Sequence, residues 1–490
     1  QQFNLSLFKR LAGHTAIYGI SSILGRLLNL VLTPLYTSED VFPPGVYGIF
    51  TDIYSWVAIT NVILIFGMET AFFRFAQDHP DEKKVYSQAY MWVSLLGSIF
   101  LLVGLLGRQL IANGLGYEQH PQWIAMTVGV IFLDVMTALP MARLRYQEKV
   151  LRFAMINLIN IVLTITLNLV FLFGIEVDLT YVFLANLIAS AVKASLASWG
   201  NFPNLFRPQK AFMRELIHYG FFIMLAGAAG MLTQMLDRIM LTRIWEDGTL
   251  FESVARSGEE MTGLYGAAYK VAILIMLATQ AFRYAVEPFY FKEASAKDSP
   301  ETFAKVFHYY LIAALIGFLV LASFTREIVT FKVFGYSFIG ENYWSALPVV
   351  PILLLAYVFN GAFVNLSIWF KISKQVRFAI LFTGVGLLIV LLGNFLTINT
   401  LGYYGSAYTT LAAFAVMSVL VYLVGQRYYP IPYRMGRLLA YLGLMLGAYV
   451  FNRWLGPTDG YYLTFVIKAV VCLLAIGGIF AAEKYLPVFK

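Results

Sequence analysis

The sequence has few of the residues from which soluble proteins build chemical sites. Of its 490 residues 13% are charged, five are histidine and a single one, Cys472, is cysteine. One cysteine excludes a disulfide or a thiolate metal cluster within the chain. The histidines all fall near helix ends or in loops, without the spacing of metal ligands. A membrane acyltransferase with a histidine base at depth, and a glycosyltransferase with carboxylates on a large loop, are therefore disfavoured, and we expect no enzyme and no cofactor.

Apolar residues take the place of the missing charge. They make up 60% of the chain, against about 45–50% in soluble domains. A helix needs roughly 20 apolar residues to cross the hydrocarbon core of a bilayer. By that measure we predict an all-α, multi-pass membrane protein with about fourteen spans. The predicted spans are 11–36, 46–72, 85–107, 121–142, 153–174, 179–199, 215–242, 261–287, 304–324, 344–370, 377–398, 401–425, 436–454 and 461–482.

The basic residues predict the orientation. With the N-terminus in the cytoplasm, 23 of the 35 Lys and Arg residues lie in inner segments, 6 in outer segments and 6 within spans. This asymmetry follows the positive-inside rule and places both termini in the cytoplasm. The net charge of +8 is therefore a topology signal, and no nucleic-acid partner is expected.

A weak internal repeat predicts two similar halves. Gly45-Val46-Tyr47-Gly48 opens the second span, and Gly263-Leu264-Tyr265-Gly266 opens the eighth. Tyr18-Gly19 and Tyr219-Gly220 stand near the cytoplasmic ends of the first and seventh spans. We predict two pseudo-symmetric six-helix lobes, 1–200 and 201–430, followed by a helix pair, 431–490. Facing repeats are the architecture of alternating-access transporters.

Charged and polar side chains inside the spans are the candidate functional residues. Each charge facing lipid at mid-depth costs at least about 2.5–3.5 kcal/mol, so these residues should face one another or water. Polar stripes run along single helices: Ser22, Arg26, Asn29 and Thr33 on the first span; Asn157, Asn160, Thr164 and Asn168 on the fifth; Asn186, Ser190 and Lys193 on the sixth. The stripes either line a hydrated central cavity or form interhelical hydrogen bonds. If they line a cavity, its cationic groups suit an anionic ligand and its amides and hydroxyls suit a substrate rich in hydroxyl groups.

On the cavity interpretation we assign nine residues. The predicted substrate-binding residues are Arg26, Arg238, Lys270, Asn29, Asn157, Asn160 and Lys193, and the predicted ion-coupling residues are Asp52 and Asp237. Arg283 and Glu287, one helical turn apart near a cytoplasmic end, are expected to form a local ion pair instead. Asp134 either pairs with a neighbouring helix or has a functional role.

Several segments resemble the polysaccharide flippases of the O-antigen type, within the multidrug/oligosaccharidyl-lipid/polysaccharide exporter superfamily. The similar segments are SSILGRLLNLVLTPLYT, GVYGIF and FGMETAFFRF between Ser21 and Phe75, MLTQMLDRIML from Met231 to Leu241, and GYYGSA from Gly402 to Ala407. The family's first-helix arginine corresponds to Arg26, and its seventh-helix Asp-Arg pair corresponds to Asp237 and Arg238. Fourteen spans are also a feature of the related lipid II flippases, whose last two helices form a groove for the lipid tail.

The resemblance implies a flippase in the bacterial cytoplasmic membrane that moves polyprenyl-diphosphate-linked oligosaccharide to the outer leaflet. The implied partners are that glycolipid and the bilayer, and a monomer is expected. Coupling to sodium, protons or the membrane potential stays open. The alternatives are a lipid II flippase or a multidrug/cation antiporter on the same fold. A membrane-embedded transferase is the alternative that the sequence supports least.

The predicted orientation can be tested by thiol labelling of intact cells. In a Cys472→Ala background we expect Arg108→Cys to react with a membrane-impermeant maleimide in intact cells. Lys149→Cys should react only after the cells are lysed. Labelling of position 149 in intact cells would reverse the predicted topology.

Overall fold

The chain folds almost entirely into helices. The computed structural model describes residues 30–79, 81–203, 209–246, 257–293, 299–333, 335–373, 375, 377–455 and 461–485. A two-stranded antiparallel hairpin, Lys332–Val333 with Tyr336–Ser337, interrupts the described helices. The predicted all-α class is therefore confirmed.

The helices are numbered in chain order. They are α1 Thr33–Tyr36, α2 Pro44–Ile65, α3 Met68–Asp78, α4 Glu82–Leu106, α5 Arg108–Leu115, α6 Pro121–Tyr146, α7 Val150–Gly174, α8 Leu179–Ser198, α9 Lys210–Ile244, α10 Gly258–Glu293, α11 Ser299–Ser323, α12 Thr325–Thr330, α13 Val350–Leu366, α14 Ile368–Ile372, α15 Arg377–Leu401, α16 Tyr403–Tyr428, α17 Met435–Trp454 and α18 Tyr461–Tyr485. A 3₁₀ helix, Glu341–Val349, leads into α13.

Within the described residues, 13 helical segments are long and apolar enough to cross a bilayer. Each corresponds to one of the predicted spans from the second to the fourteenth. The predicted first span lies outside the described residues except for its last turns. The protein is therefore a multi-pass membrane protein, and 13 of the fourteen predicted spans correspond to helices among the described residues.

Large apolar side chains on the outside of several helices mark the surface that faces lipid. On α18 Leu474 is 71% exposed, and on α15 Leu396 is 73% exposed. Such exposure would be costly in water, at about 25 cal/mol for each Å² of apolar surface, and is the expected state in hydrocarbon.

The chain divides into two compact units. Within the described residues, unit 1 contains 30–32, Asp40–Phe42 and Ile49–Ile239, and unit 2 contains Thr33–Glu39, Pro43–Gly48 and Met240 onwards. In unit 1, α6 packs against α4 and α8, and in unit 2, α16 packs against α13 and α15. The division into lobes at 200 and 430, which rests on the repeat, stays a prediction.

The second span is broken where α2 meets α3. Phe66 and Gly67 both adopt positive φ angles, 56° and 67°, between the two helices. A left-handed conformation is uncommon for a bulky residue such as phenylalanine and is held by the surrounding packing. Here the carbonyl oxygen of Phe66 lies against Gly220 on α9, where an added Cβ would come within 2.6 Å of it. The Tyr219-Gly220 pair of the predicted repeat is thus a site of close helix approach.

The two glycine motifs of the repeat contact each other within unit 2. A Cβ atom on Gly48 would lie 1.7 Å from the backbone oxygen of Glu259, and one on Gly263 would lie 1.9 Å from that of Pro44. Only glycine permits backbones to approach this closely. The motifs therefore allow the beginnings of α2 and α10 to pack in direct backbone contact.

This contact predicts that larger residues in place of Gly48 or Gly263 destabilise the protein. Gly48→Ala and Gly263→Ala should each force the backbones apart and destabilise the protein by about 1–3 kcal/mol, the usual cost of overpacking. Gly45→Ala is the matched control, because nothing lies within 4 Å of a Cβ atom at that position. Thermal unfolding in detergent measures the effect, and equal melting temperatures for all three variants would contradict it.

Candidate functional site

Two of the predicted binding residues, Arg26 and Asn29, lie outside the described residues and stay predictions. Of the remaining seven, Lys270 belongs to unit 2 and the others belong to unit 1. We describe each unit by itself.

Arg238 and Asp237 form a buried ion pair on α9. Nη1 of Arg238 lies 3.0 Å from Oδ1 of Asp237, and both side chains are 3% exposed. The same Nη1 donates to the backbone oxygen of Gln234 at 2.5 Å and lies 3.8 Å from the sulfur of Met235. The guanidinium of Arg238 is therefore neutralised and covered in this conformation. An anionic ligand would have to compete with the Asp237 carboxylate for it.

Asp52 is fully buried on α2. Its Oδ2 accepts a hydrogen bond of 2.9 Å from the hydroxyl of Tyr117, in the loop after α5. This contact joins residues 65 positions apart in the sequence. The carboxylate is thus placed inside unit 1 and held by a hydroxyl donor, which suits either a structural link or an exchangeable cation or proton.

The polar stripe on α7 bonds largely to its own helix. The side chains of Asn157, Thr164 and Asn168 donate to the backbone oxygens four residues earlier, at 3.2, 2.8 and 2.8 Å. Such back-bonding satisfies polar groups in hydrocarbon without a partner helix. Oδ1 of Asn160 is buried and accepts no hydrogen bond from the described residues. Asn160 is therefore the member of this stripe with capacity left for a ligand hydroxyl.

The stripe on α8 takes part in a polar cluster across three helices of unit 1. Ser190 donates to Oδ1 of Asp134 on α6 at 3.3 Å, and Lys193 lies close enough to interact with the same carboxylate. Tyr54 of α2 lies beside Asp134 and Asn186, with its ring stacked 6.1 Å from that of Phe183. Asp134 thus pairs with a neighbouring helix, as one of the two interpretations expected. The cluster places one cation and one carboxylate inside the bundle of unit 1.

Lys270, in unit 2, is half-buried on α10. The preceding residue, Tyr269, accepts a hydrogen bond of 2.8 Å from the hydroxyl of Tyr357 on α13. The assignment of Lys270 to substrate binding stays a prediction.

The predicted pair between Arg283 and Glu287 is wrong. Glu287 bonds instead to Nζ of Lys371 on α14, at 2.5 Å. Lys371 is 84 residues away in sequence, and α14 brings its ammonium group to the carboxylate. Helical spacing finds pairs within one helix, but it cannot find a partner that tertiary packing supplies.

Sequence reasoning missed some residues that the structure brings together. Tyr54 carried no signal, because a tyrosine in an apolar helix is common. Arg326 and Arg453 line one cavity in unit 2, and both are among the six basic residues of the predicted outer segments, a rarity that could have singled them out. No group of three or more His, Cys, Asp or Glu residues within the described ranges could hold a metal ion.

The sequence matches a family described as polysaccharide biosynthesis proteins over residues 11–288, more than half of the chain. The chain belongs to this family. No curated protein matches it.

Solved structures identify the fold. The lipid II flippase MurJ in an inward closed conformation matches with a TM-score of 0.75 and 13% identity, over 96% of this chain and 99% of that chain. A multidrug resistance MATE family transporter of the MOP superfamily matches in an inward-facing conformation with a TM-score of 0.64 and 15% identity, over 87% of this chain and 99% of that chain. An outward-facing conformation of a multidrug resistance MATE family transporter of the MOP superfamily matches with a TM-score of 0.59 and 16% identity, over 88% of this chain and 96% of that chain. At these identities the matches show a shared fold.

The family member thus has the fold of MurJ and the MATE transporters, and the resemblance found in the sequence is confirmed. The predicted substrate-binding and ion-coupling roles of individual residues stay predictions.

The buried ion pair on α9 predicts that removing one of its charges costs more stability than removing both. Arg238→Gln should destabilise the protein by about 3–5 kcal/mol, because Asp237 would keep a buried charge without its partner. Adding Asp237→Asn should restore part of that loss.

Arg214→Gln is the control for this measurement, because Arg214 is exposed near the start of the same helix. Melting temperatures in detergent provide the comparison. A double variant that is less stable than Arg238→Gln alone would show that the two side chains act independently.

Proposed function

We propose that the protein is a flippase that moves polyprenyl-diphosphate-linked oligosaccharide from the inner to the outer leaflet of the bacterial cytoplasmic membrane. The observation that carries the proposal is the combination of membership in a polysaccharide biosynthesis family with a flippase fold over 96% of the chain. Transport rather than catalysis fits both. The partners are the glycolipid and the bilayer, and the protein acts as a monomer.

The substrate explains why cations are needed inside the membrane. A diphosphate carries too much charge to cross about 30 Å of hydrocarbon unaided. Arg26, Arg238 and Lys270 supply positive charge, and an arginine can also bind two phosphate oxygens at once. The prenyl chain can stay in the lipid while the headgroup passes through the protein.

Amide side chains serve the sugar in this proposal. Asn29, Asn157 and Asn160 offer donors and acceptors for hydroxyl groups, and Lys193 adds a further cation. The free acceptor of Asn160 is the specific feature that supports this role.

The pair on α9 gives the proposal a mechanism for coupling. In the conformation described, the carboxylate of Asp237 forms an ion pair with the guanidinium of Arg238. A bound diphosphate would replace Asp237 on the guanidinium and leave the carboxylate free to take a proton or a sodium ion. Asp52 is the second candidate for this role, and the membrane potential acting on the cationic residues is the alternative driving force. Rocking of the two lobes would then expose the substrate to the other side.

A lipid II flippase is the second candidate, because MurJ covers nine percentage points more of this chain than the inward-facing MATE transporter does. That difference is about 44 residues, the length of two spans. It fits the helix pair α17 and α18 at the end of the chain. The substrates of both candidates share a polyprenyl diphosphate, so the same residues serve either one.

The proposal is tested by reconstituting the full-length protein in liposomes with a fluorescent polyprenyl-diphosphate disaccharide. Dithionite, which does not cross the bilayer, bleaches the label in the outer leaflet. In liposomes that contain protein the inner-leaflet label should move to the outer leaflet and be bleached as well, and in empty liposomes it should stay fluorescent. Arg26→Ala should slow this exchange about tenfold or more, as expected when a charge-assisted contact is lost. Arg26→Lys should retain part of the rate.

Arg214→Gln, at the exposed start of α9, is the control and should transport at the wild-type rate. Equal rates in protein-containing and empty liposomes would refute the flippase. Movement of ethidium in place of the glycolipid would favour the multidrug/cation antiporter.

A further inference from the structure

A cavity of about 830 Å³ opens in unit 2, apart from the residues assigned above. It lies among the end of α11, the short helix α12, the 3₁₀ helix, α17 and α18. The side chains that give it its chemistry are Arg326, Glu327, Trp344, Tyr449, Arg453 and Lys468. We call this cavity the cationic pocket.

The described residues that line the cationic pocket carry an excess of two positive charges. Nζ of Lys468 lies 3.1 Å from Oε1 of Glu327, and the two side chains are 18% and 14% exposed. This ion pair neutralises one cation. Arg326 and Arg453 form no ion pair with any of the described residues and remain available to an anion.

The two arginines are held by aromatic residues instead of carboxylates. The guanidinium carbon of Arg326 lies 5.9 Å from the centre of the Trp344 ring. Nη1 of Arg453 donates to the hydroxyl of Tyr449 at 3.3 Å. A cation–π contact such as that of Arg326 is worth about 0.5–1 kcal/mol at an exposed site, and the hydroxyl of Tyr449 carries no charge. Both contacts therefore orient a guanidinium without neutralising it.

The predicted topology places this pocket at the outer face. Arg326 and Arg453 are two of the six basic residues in predicted outer segments. Basic residues are disfavoured there, and an ammonium group within a span is costly. Two outer arginines in one cavity, beyond the cation that Glu327 neutralises, therefore indicate a specific anion. Trp344 at the same level fits the aromatic belt at a membrane interface.

We propose that the cationic pocket binds the phosphate headgroup of a lipid from the outer leaflet. The arginines bind phosphate oxygens, the hydroxyl of Tyr449 adds a donor, and Trp344 packs against the carbon atoms next to the phosphate. The chain itself stays in the bilayer, because α17 and α18 expose apolar residues such as Trp454 and Leu473 to lipid. The ligand is either a polyprenyl diphosphate or an acidic phospholipid, which share this chemistry. Binding here does not require that the protein transports the lipid.

The test is a binding titration of the full-length protein in detergent, followed by native mass spectrometry. The probes are farnesyl diphosphate and phosphatidylglycerol, with farnesol and phosphatidylcholine as uncharged or zwitterionic counterparts. The double variant Arg326→Gln/Arg453→Gln should bind one or both anionic probes about tenfold more weakly or worse. Lys332→Gln is the matched control, because Lys332 is an exposed cation in the same predicted outer loop that does not line the pocket. It should bind within about twofold of the wild type.

The pattern of loss identifies the ligand. Weaker binding of farnesyl diphosphate alone indicates a polyprenyl diphosphate, and weaker binding of phosphatidylglycerol alone indicates a phospholipid. Loss of both indicates any lipid phosphate. The proposal is overturned if the double variant binds both probes like the wild type, or if the wild type binds the counterparts equally well.

A third variant should bind more tightly than the wild type. Glu327→Gln leaves Lys468 uncompensated and raises the excess charge of the pocket by one, so the affinity for the anionic probes should rise about two- to fivefold. A gain of affinity cannot come from misfolding. An unchanged or lower affinity would contradict the electrostatic basis of the pocket. These measurements use no transport step, so their failure and a failure of the flippase assay can be told apart.

Discussion

The exclusion of charge from hydrocarbon governs the arrangement of this protein. A lone charge at the middle of a bilayer costs at least about 2.5–3.5 kcal/mol, so charges persist there where a partner or water compensates them. On α9 Asp237 compensates Arg238, and on α8 Lys193 lies near Asp134. The apolar side chains meanwhile cover the outside of the helices. The same constraint thus produces both the lipid-facing surface and the polar interior.

This constraint explains why the sequence predicted the spans so well and the pairs so poorly. Hydropathy and the distribution of basic residues depend on position along the chain, and the predicted second to fourteenth spans all correspond to helices. Ion pairs depend on which helices pack together. Glu287 bonds to Lys371 rather than to Arg283, and Glu327 bonds to Lys468 across 141 positions. No periodicity within one helix contains that information.

The glycine motifs lie between these two cases. Their similarity suggested a repeat, and the structure gives them a physical role in unit 2, where Gly48 lies against the backbone at Glu259. The sequence could show that the two motifs correspond. It could not show that they contact each other. A glycine at a close approach of two backbones has the same letter in the sequence as a glycine in open space, such as Gly45.

The arginines of this protein are held in two different ways, with different consequences for binding an anion. Arg238 already bonds to a carboxylate at 3.0 Å in a covered site, so a phosphate would have to displace Asp237 to bind there, as in the proposed mechanism. Such an exchange would leave a buried carboxylate without its partner, and a proton or a cation would have to compensate it. Arg326 and Arg453 are held by aromatic groups, and a phosphate can be added without displacing anything charged. Exchange suits a site that must load and unload during a transport cycle, whereas simple addition suits a site that retains its lipid. The partner of each arginine, rather than the arginine itself, therefore decides which of the two tasks the site can perform.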